Sequence, residues 1–182
     1  MLFRSPHTLL FRRQTVDDPP IIEDPILVVR GLTQSFFSQT LTILRLDRLD
    51  KVPLPLFLIC PRLRKVFLDH VGATESYDEY PDDLCSGRKV PQLEVLDYCN
   101  SYSVVGQMIT LLPRFNKPVV CWSKLRVLTL SPHKKEEMTC LQPILNAACH
   151  TLEELYLTRL HVGECRCSFF FLAQSESDKF LN

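Results

Sequence analysis

The sequence predicts an α/β fold of stacked units, in which parallel strands form a curved sheet with helices on its convex side. Three observations carry this reading. An apolar pattern L-x-x-[LV]-x-[LY] recurs five times, polar residues fill the positions between, and the intervening stretches read as helix or apolar turn. The segments are LTILRLDRL from Leu41, LRKVFLDHV from Leu63, LEVLDYCNS from Leu93, LRVLTLSPH from Leu125 and LEELYLTRL from Leu152. Their starts lie 22, 30, 32 and 27 residues apart, which brackets the roughly 20 to 29 residues of a leucine-rich repeat and runs longer. The expected architecture is a degenerate leucine-rich-repeat-like solenoid of about five repeats.

Taken in order, residues 1–31 read as a largely irregular N-terminal extension. A basic start with Arg4, Arg12 and Arg13 leads into VDDPPIIEDP, where three prolines and four acids oppose a regular element. Ile26 to Val29 reads as a short strand or the start of a capping turn. Gly31 to Thr40 reads as an amphipathic helix leading into the repeats, since a solenoid needs its end units covered.

Residues 32–162 form the expected solenoid. Alternate residues of a strand point to opposite faces, so Leu44 and Leu46, or Leu155 and Leu157, enter the core together. Leu41 and Leu152 point inward where the chain turns into its strand. Between strands, Pro53 to Cys60 is a short apolar stretch, Ser103 to Leu112 is helix-like, and Leu141 to Cys149 is a better helix, with Pro143 tolerable in its first turn. Glu75 to Asp83 carries five acids in nine residues and reads as an exposed loop between repeats, either simply solvated or a dock for a basic partner.

Residues 163–182 form an atypical C-terminal tail. The run Phe169 to Leu172 folds back as an edge strand or cap, or is unrelated to the fold; exposed on an edge it would invite aggregation.

A doubly wound domain is the rival architecture. Such a fold would normally show long, continuously apolar strands and a glycine-rich turn. Here Arg45, Asp47, Lys65, Asp69, Asp97, Thr129 and Thr158 interrupt the apolar positions, so one face of the sheet is expected to be wet.

With 46% hydrophobic and 23% charged residues, the composition is that of a single globular domain and excludes wholesale disorder. Lys and Arg equal Asp and Glu at 21 each, which removes the electrostatic basis for a general nucleic-acid binder. Arg114, Lys117, Lys124, Arg126, Lys134 and Lys135 make one stretch locally basic, but no aromatic interleaving at stacking spacing accompanies them apart from Trp122, so a solvated rim is expected. No apolar run reaches a secretory signal or a membrane span. The eight cysteines contain no C-x-x-C and suggest free, mostly buried thiols. A soluble intracellular protein, cytoplasmic or nuclear, without nucleic-acid or membrane partners follows.

No nucleophile elbow, zincin, phosphate-loop or dinucleotide motif occurs, and five glycines are few for phosphate cradles. No catalytic residue, cofactor or metal is therefore assigned. Cys149 beside His150 suggests a thiol and base, yet a buried thiol with a capping histidine explains the pair more simply. Cys165 and Cys167, with His161 or His150, match no zinc spacing.

The wet face is the better candidate for binding. One outward column runs Arg45, Phe67, Asp97, Thr129, Tyr156, and the next runs Asp47, Asp69, Cys99, Ser131, Thr158. Arg45, Asp47, Phe67, Asp69, Asp97, Thr129, Tyr156 and Thr158 are the candidate partner-binding residues. Phe67 and Tyr156 serve either as interface anchors or as packing for side chains of adjacent strands.

The phrases LICPRLRKVFLDHV (58–71) and LQPILNAACHTLEELYLTRLHV (141–162) resemble the degenerate leucine-rich repeats of the large F-box-type families of mushroom-forming fungi. There apolar-Cys-Pro-x-Leu-Arg-x-Val-x-Leu and Thr-Leu-Glu-x-Leu recur, and the resemblance covers about residues 32–162. It implies a substrate receptor of an SCF-type ubiquitin ligase, with a cullin-ligase linker as partner. Residues 1–31 depart from that plan, being short and proline-rich for an F-box. The expected function is a non-enzymatic protein-protein interaction scaffold. The alternatives are a small cytosolic enzyme with a cysteine nucleophile and a truncated repeat fragment without independent function.

Overall fold

The computed structural model describes residues 2–5, 7–12, 37–74, 89–112, 117–132, 135–162 and 165–172. Its strands are β1 (Leu2–Ser5), β2 (Thr8–Arg12), β3 (Ile43–Val52), β4 (Lys65–Ala73), β5 (Val95–Cys99), β6 (Leu111–Leu112), β7 (Lys117–Pro118), β8 (Val127–Ser131), β9 (Glu154–Val162) and β10 (Cys165–Leu172). The helices are α1 (Phe37–Thr40), α2 (Pro55–Leu58), α3 (Tyr102–Ile109), α4 (Lys135–Thr139) and α5 (Leu141–Ala148). Eight strands form one open sheet in the order β1-β2-β3-β4-β5-β8-β9-β10, while β6 and β7 pair apart as a small antiparallel ribbon. Within the eight-stranded sheet every pairing from β2 across to β9 is parallel, and at its two edges β1 pairs antiparallel with β2 and β10 with β9. The fold is thus α/β, with six parallel strands whose spatial order is their order in the chain.

The recurring pattern explains the strands. In β3, Leu44 and Leu46 are buried while Arg45 is exposed; Val66 and Leu68, Leu96 and Tyr98, and Leu128 and Leu130 repeat the arrangement in β4, β5 and β8. The leading leucines Leu41, Leu63, Leu93 and Leu125 are buried too, one turn before each strand. The connecting elements cover this same apolar face. Val104, Val105 and Met108 of α3, and Leu141, Ile144 and Ala148 of α5, are buried at helical spacing and join the core cluster. All of Val52 to Cys60 is buried, so α2 is apolar all round and lies wholly inside.

Backbone hydrogen bonds fix the register. The Thr42 carbonyl accepts from the amides of Arg64 and Lys65 at 2.9 and 3.0 Å, the Arg64 carbonyl from Glu94 and Val95, the Glu94 carbonyl from Arg126 and Val127, and the Arg126 carbonyl from Glu153 and Glu154. One carbonyl per unit therefore takes two amides of the next unit. His7 does the same for Thr42 and Ile43, which makes Thr8–Arg12 a sixth unit of the sheet.

A second device acts three residues after the strand's last inward leucine. Residues at that spacing would sit on opposite faces of a straight strand. Arg48, His70 and Asn100 instead have φ of 55°, 53° and 47°, and they follow the register partners Asp47, Asp69 and Cys99. The left-handed residue keeps two successive side chains outward and returns Leu49, Val71 and Ser101 to the core. Ser101 precedes α3, but its hydroxyl does not cap that helix. It donates to the Cys99 carbonyl at 2.8 Å and accepts the Val71 amide at 3.0 Å, tying β4 to the next unit.

The N-terminal flank adds strands that the sequence reading did not place, and the tail takes the edge-strand form. Leu2–Ser5 and Thr8–Arg12 pair antiparallel as β1 and β2, and Leu9 and Phe11 alternate inward as Leu44 and Leu46 do. The sequence pattern missed this unit because Pro6 stands where the others have leucine. In the tail, β10 folds back on β9 as an edge strand, Phe170 opposite Tyr156. The proline-rich segment, the Ile26–Val29 element, most of the helix placed at Gly31–Thr40 and the acidic Glu75–Asp83 loop lie outside the described residues.

Truncating the fully buried Leu96 to alanine is expected to cost about 2–5 kcal/mol in urea denaturation. Lys65→Ala, on the outer face, should stay within about 0.5 kcal/mol. Equal effects would contradict the assignment of faces.

Candidate functional site

The register assembles both outward columns. Leu10, Arg45, Phe67, Asp97, Thr129 and Tyr156 are successive partners across six strands. Arg12, Asp47, Asp69, Cys99 and Ser131 form the next column, and Thr158 continues it through a hydroxyl contact with Ser131. An open groove of about 410 Å³ runs along the two columns. Of the eight candidates, Arg45, Asp47, Phe67, Asp69 and Asp97 line it, together with Leu10, Cys99 and Ser131. Thr129, Tyr156 and Thr158 lie on the same columns beyond the groove. Leu10 and Arg12 were missed because their unit was missed; the alternation of Leu9 and Phe11 was the available signal.

Phe67 is half-buried, and the Arg45 guanidinium sits 3.8 Å from its ring centroid, so the aromatic packs on its register neighbour through a cation–π contact. Tyr156 donates its hydroxyl to Glu154 Oε2 at 2.6 Å, two residues along the same face. That hydrogen bond, with burial and the Glu154 charge behind it, raises the phenol above its ordinary range. Asp47 Oδ2 meets Arg12 Nε at 2.8 Å, while its buried Oδ1 has no hydrogen bond and only Arg48 Nε at 3.7 Å.

Asp97 carries the clearest electrostatic tension. Burial raises its pKa, Arg45 opposes this, and the Asp69 charge adds to it. Three carboxylates, Asp47, Asp69 and Asp97, share the groove with Arg45, and Arg12 bonds Asp47 from beside it. The floor is thus acidic with one aromatic, suited to a segment that offers basic and apolar side chains in turn.

A separate charge ladder marks the strand entrances. Arg64 pairs with Glu94, and Arg126 holds Glu153 by two hydrogen bonds of 2.7 and 2.6 Å. This bidentate bond lowers the Glu153 pKa and raises that of Arg126. Lys124 and Arg126 are exposed and Trp122 beside them is buried, so that among the described residues it offers them no stacking surface.

The thiols differ from expectation. Cys60 and Cys140 are buried, Cys99 and Cys121 half-buried, and Cys149 exposed. Cys149 is not the buried thiol expected, because α5 buries Leu141, Ile144 and Ala148 and turns the next residue outward; His150 is exposed beside it. Of Cys165, Cys167 and His161 only the backbone is described.

Among the described residues no helix is long and apolar enough to cross a membrane. No protein-family model matches the chain, and comparison with curated proteins and with solved structures yields no match. The functional reading rests on the geometry.

Asp97→Asn tests the groove electrostatics. A carboxyl whose folded pKa is raised destabilises the fold once ionised. The penalty is absent below the ordinary value of 3.8, grows as pH rises through the raised pKa, and is constant above it. Asp97→Asn should therefore melt higher than wild type near neutral pH, with the difference disappearing in acid. A difference independent of pH would refute the assignment.

Proposed function

We propose that the chain is a leucine-rich-repeat-like solenoid that acts as a non-enzymatic interaction scaffold, holding an extended segment of a protein partner along the outer columns of its sheet. The observation that carries this is the unbroken register from Leu10 to Tyr156 over a groove open to solvent. The solenoid reading is supported by a sheet whose strand order never reverses, whereas doubly wound sheets reverse at a switch point. It is supported equally by one buried face and one polar face.

Arg45 and Phe67 form the anchor, and Asp47, Asp69 and Asp97 supply the acidic floor. The partner segment is therefore one with basic and apolar residues in alternation. An SCF-type ubiquitin ligase is the context that the resemblance to fungal F-box repeat proteins implies, with the groove receiving the substrate. The protein is read as intracellular.

Affinity purification of the tagged chain from its own cells, with a Phe67→Ala/Asp97→Lys variant in parallel, tests the reading. A protein retained by the wild type and weakened about 10-fold or more by the variant supports the groove. Co-recovery of a cullin linker supports the ligase context, while chaperones alone, equally with both forms, would leave a truncated fragment as the better account.

The second reading, a cysteine nucleophile, is favoured by one observation, the exposed Cys149 beside exposed His150. Native alkylation mapped by mass spectrometry is expected to modify Cys149 readily and Cys60 and Cys140 only on unfolding. A probe that labels Cys149 stoichiometrically at trace concentration, with loss of labelling in His150→Ala, would reverse the preference.

A further inference from the structure

We propose that Asp69, His70 and Cys99 form a binding site for a zinc-class divalent ion on the outer face of the sheet. A carboxylate oxygen, an imidazole nitrogen and a thiol sulfur from these residues all lie within 4.8 Å of one another. Asp69 and Cys99 are register partners on β4 and β5, so their side chains leave the sheet side by side. His70 would ordinarily project to the opposite face from Asp69. Its φ of 53° turns it outward instead, and its Nδ1 reaches Asp69 Oδ1 at 2.7 Å. The strained backbone is thus what brings the third donor to the cluster.

The donor set selects the ion. Imidazole with a thiolate and one carboxylate suits zinc and its transition-metal neighbours, whereas calcium and magnesium prefer oxygen alone. Tetrahedral zinc holds sulfur at about 2.3 Å and nitrogen or oxygen at about 2.0 to 2.1 Å, which places donors roughly 3.3 to 3.6 Å apart. Asp69 and His70 are exposed and Cys99 half-buried, so their side chains have room to change rotamer and close by about an ångström or more on an ion. Three protein ligands leave the fourth position to water. Asp97 adds negative charge in the same groove, and Arg45 opposes it. Binding releases the Cys99 proton, so affinity rises with pH.

This site is not readable from sequence spacing, because Cys99 stands about thirty residues from the other two and only strand pairing joins them.

The test is titration of the full 182-residue chain, freed of metal, with Co²⁺ as a spectroscopic stand-in and then with Zn²⁺. One equivalent of cobalt should give a thiolate-to-cobalt charge-transfer band and tetrahedral visible bands, displaced by zinc. His70→Asn and Cys99→Ser should each weaken binding at least about 100-fold, beyond the roughly 10- to 100-fold that losing an outer supporting group costs. Asparagine already occupies the left-handed position at Asn100, so His70→Asn keeps the fold, which circular dichroism verifies. Cys149→Ser and the Cys165→Ser/Cys167→Ser pair should bind as wild type. The proposal fails if the folded wild type gives no cobalt spectrum, or if the spectrum survives in both His70→Asn and Cys99→Ser.

Discussion

One carbonyl in each unit accepts two amides of the next, and everything else in the sheet follows from that bond pair. Its atoms are all backbone, so it takes no account of whether the residue is Thr42, Arg64, Glu94 or Arg126. It sets which residue lies opposite which, and only in that register do the inward leucines of neighbouring strands stack into one core. The same bonds are indifferent to how many residues separate one unit from the next. Spacings of 22 to 35 residues therefore coexist in one sheet, and part of the extra length goes into helices and the small ribbon.

Because the core takes the inward positions, the outward ones are left to whatever chemistry the surface needs. In this chain they hold an acidic groove with the Arg45–Phe67 cation–π pair inside it and a tyrosine–glutamate hydrogen bond beyond it on β9. Charge and aromatic contact are arranged along the columns of this surface and not scattered. The raised pKa of Asp97 is the energetic trace of this arrangement: burial on the sheet removes part of its water, which Arg45 offsets in part and the neighbouring Asp69 reinforces.

Most of the sheet was legible in the sequence because burial imposes a period. Leu44, Leu46, Leu96 and Leu128 announce themselves through spacing, and the column from Arg45 to Tyr156 follows by counting from them. What escaped has physical causes. The β2 unit lacks the leading leucine, so Leu9 and Phe11 alone were too short a signal. Cys149 was placed inside because a thiol beside a histidine gives no clue to which way the end of a helix faces. The meeting of His70 with Asp69 and Cys99 depends on a backbone angle that no side-chain pattern encodes.

The left-handed residues at Arg48, His70 and Asn100 have a consequence for what this surface can become. An L-residue with a Cβ pays about 1–2 kcal/mol to stand there, and β-branched side chains or proline do not fit at all. The rim they form accordingly has a narrow alphabet, richest in asparagine and glycine. The flat columns beside it carry no such restriction, since any side chain that tolerates water is compatible with an extended backbone. Substitution of the outer face has its freedom at positions 45, 67, 97, 129 and 156, while the rim at 48, 70 and 100 keeps the chain's bend and changes only within the few residues that its inverted handedness admits.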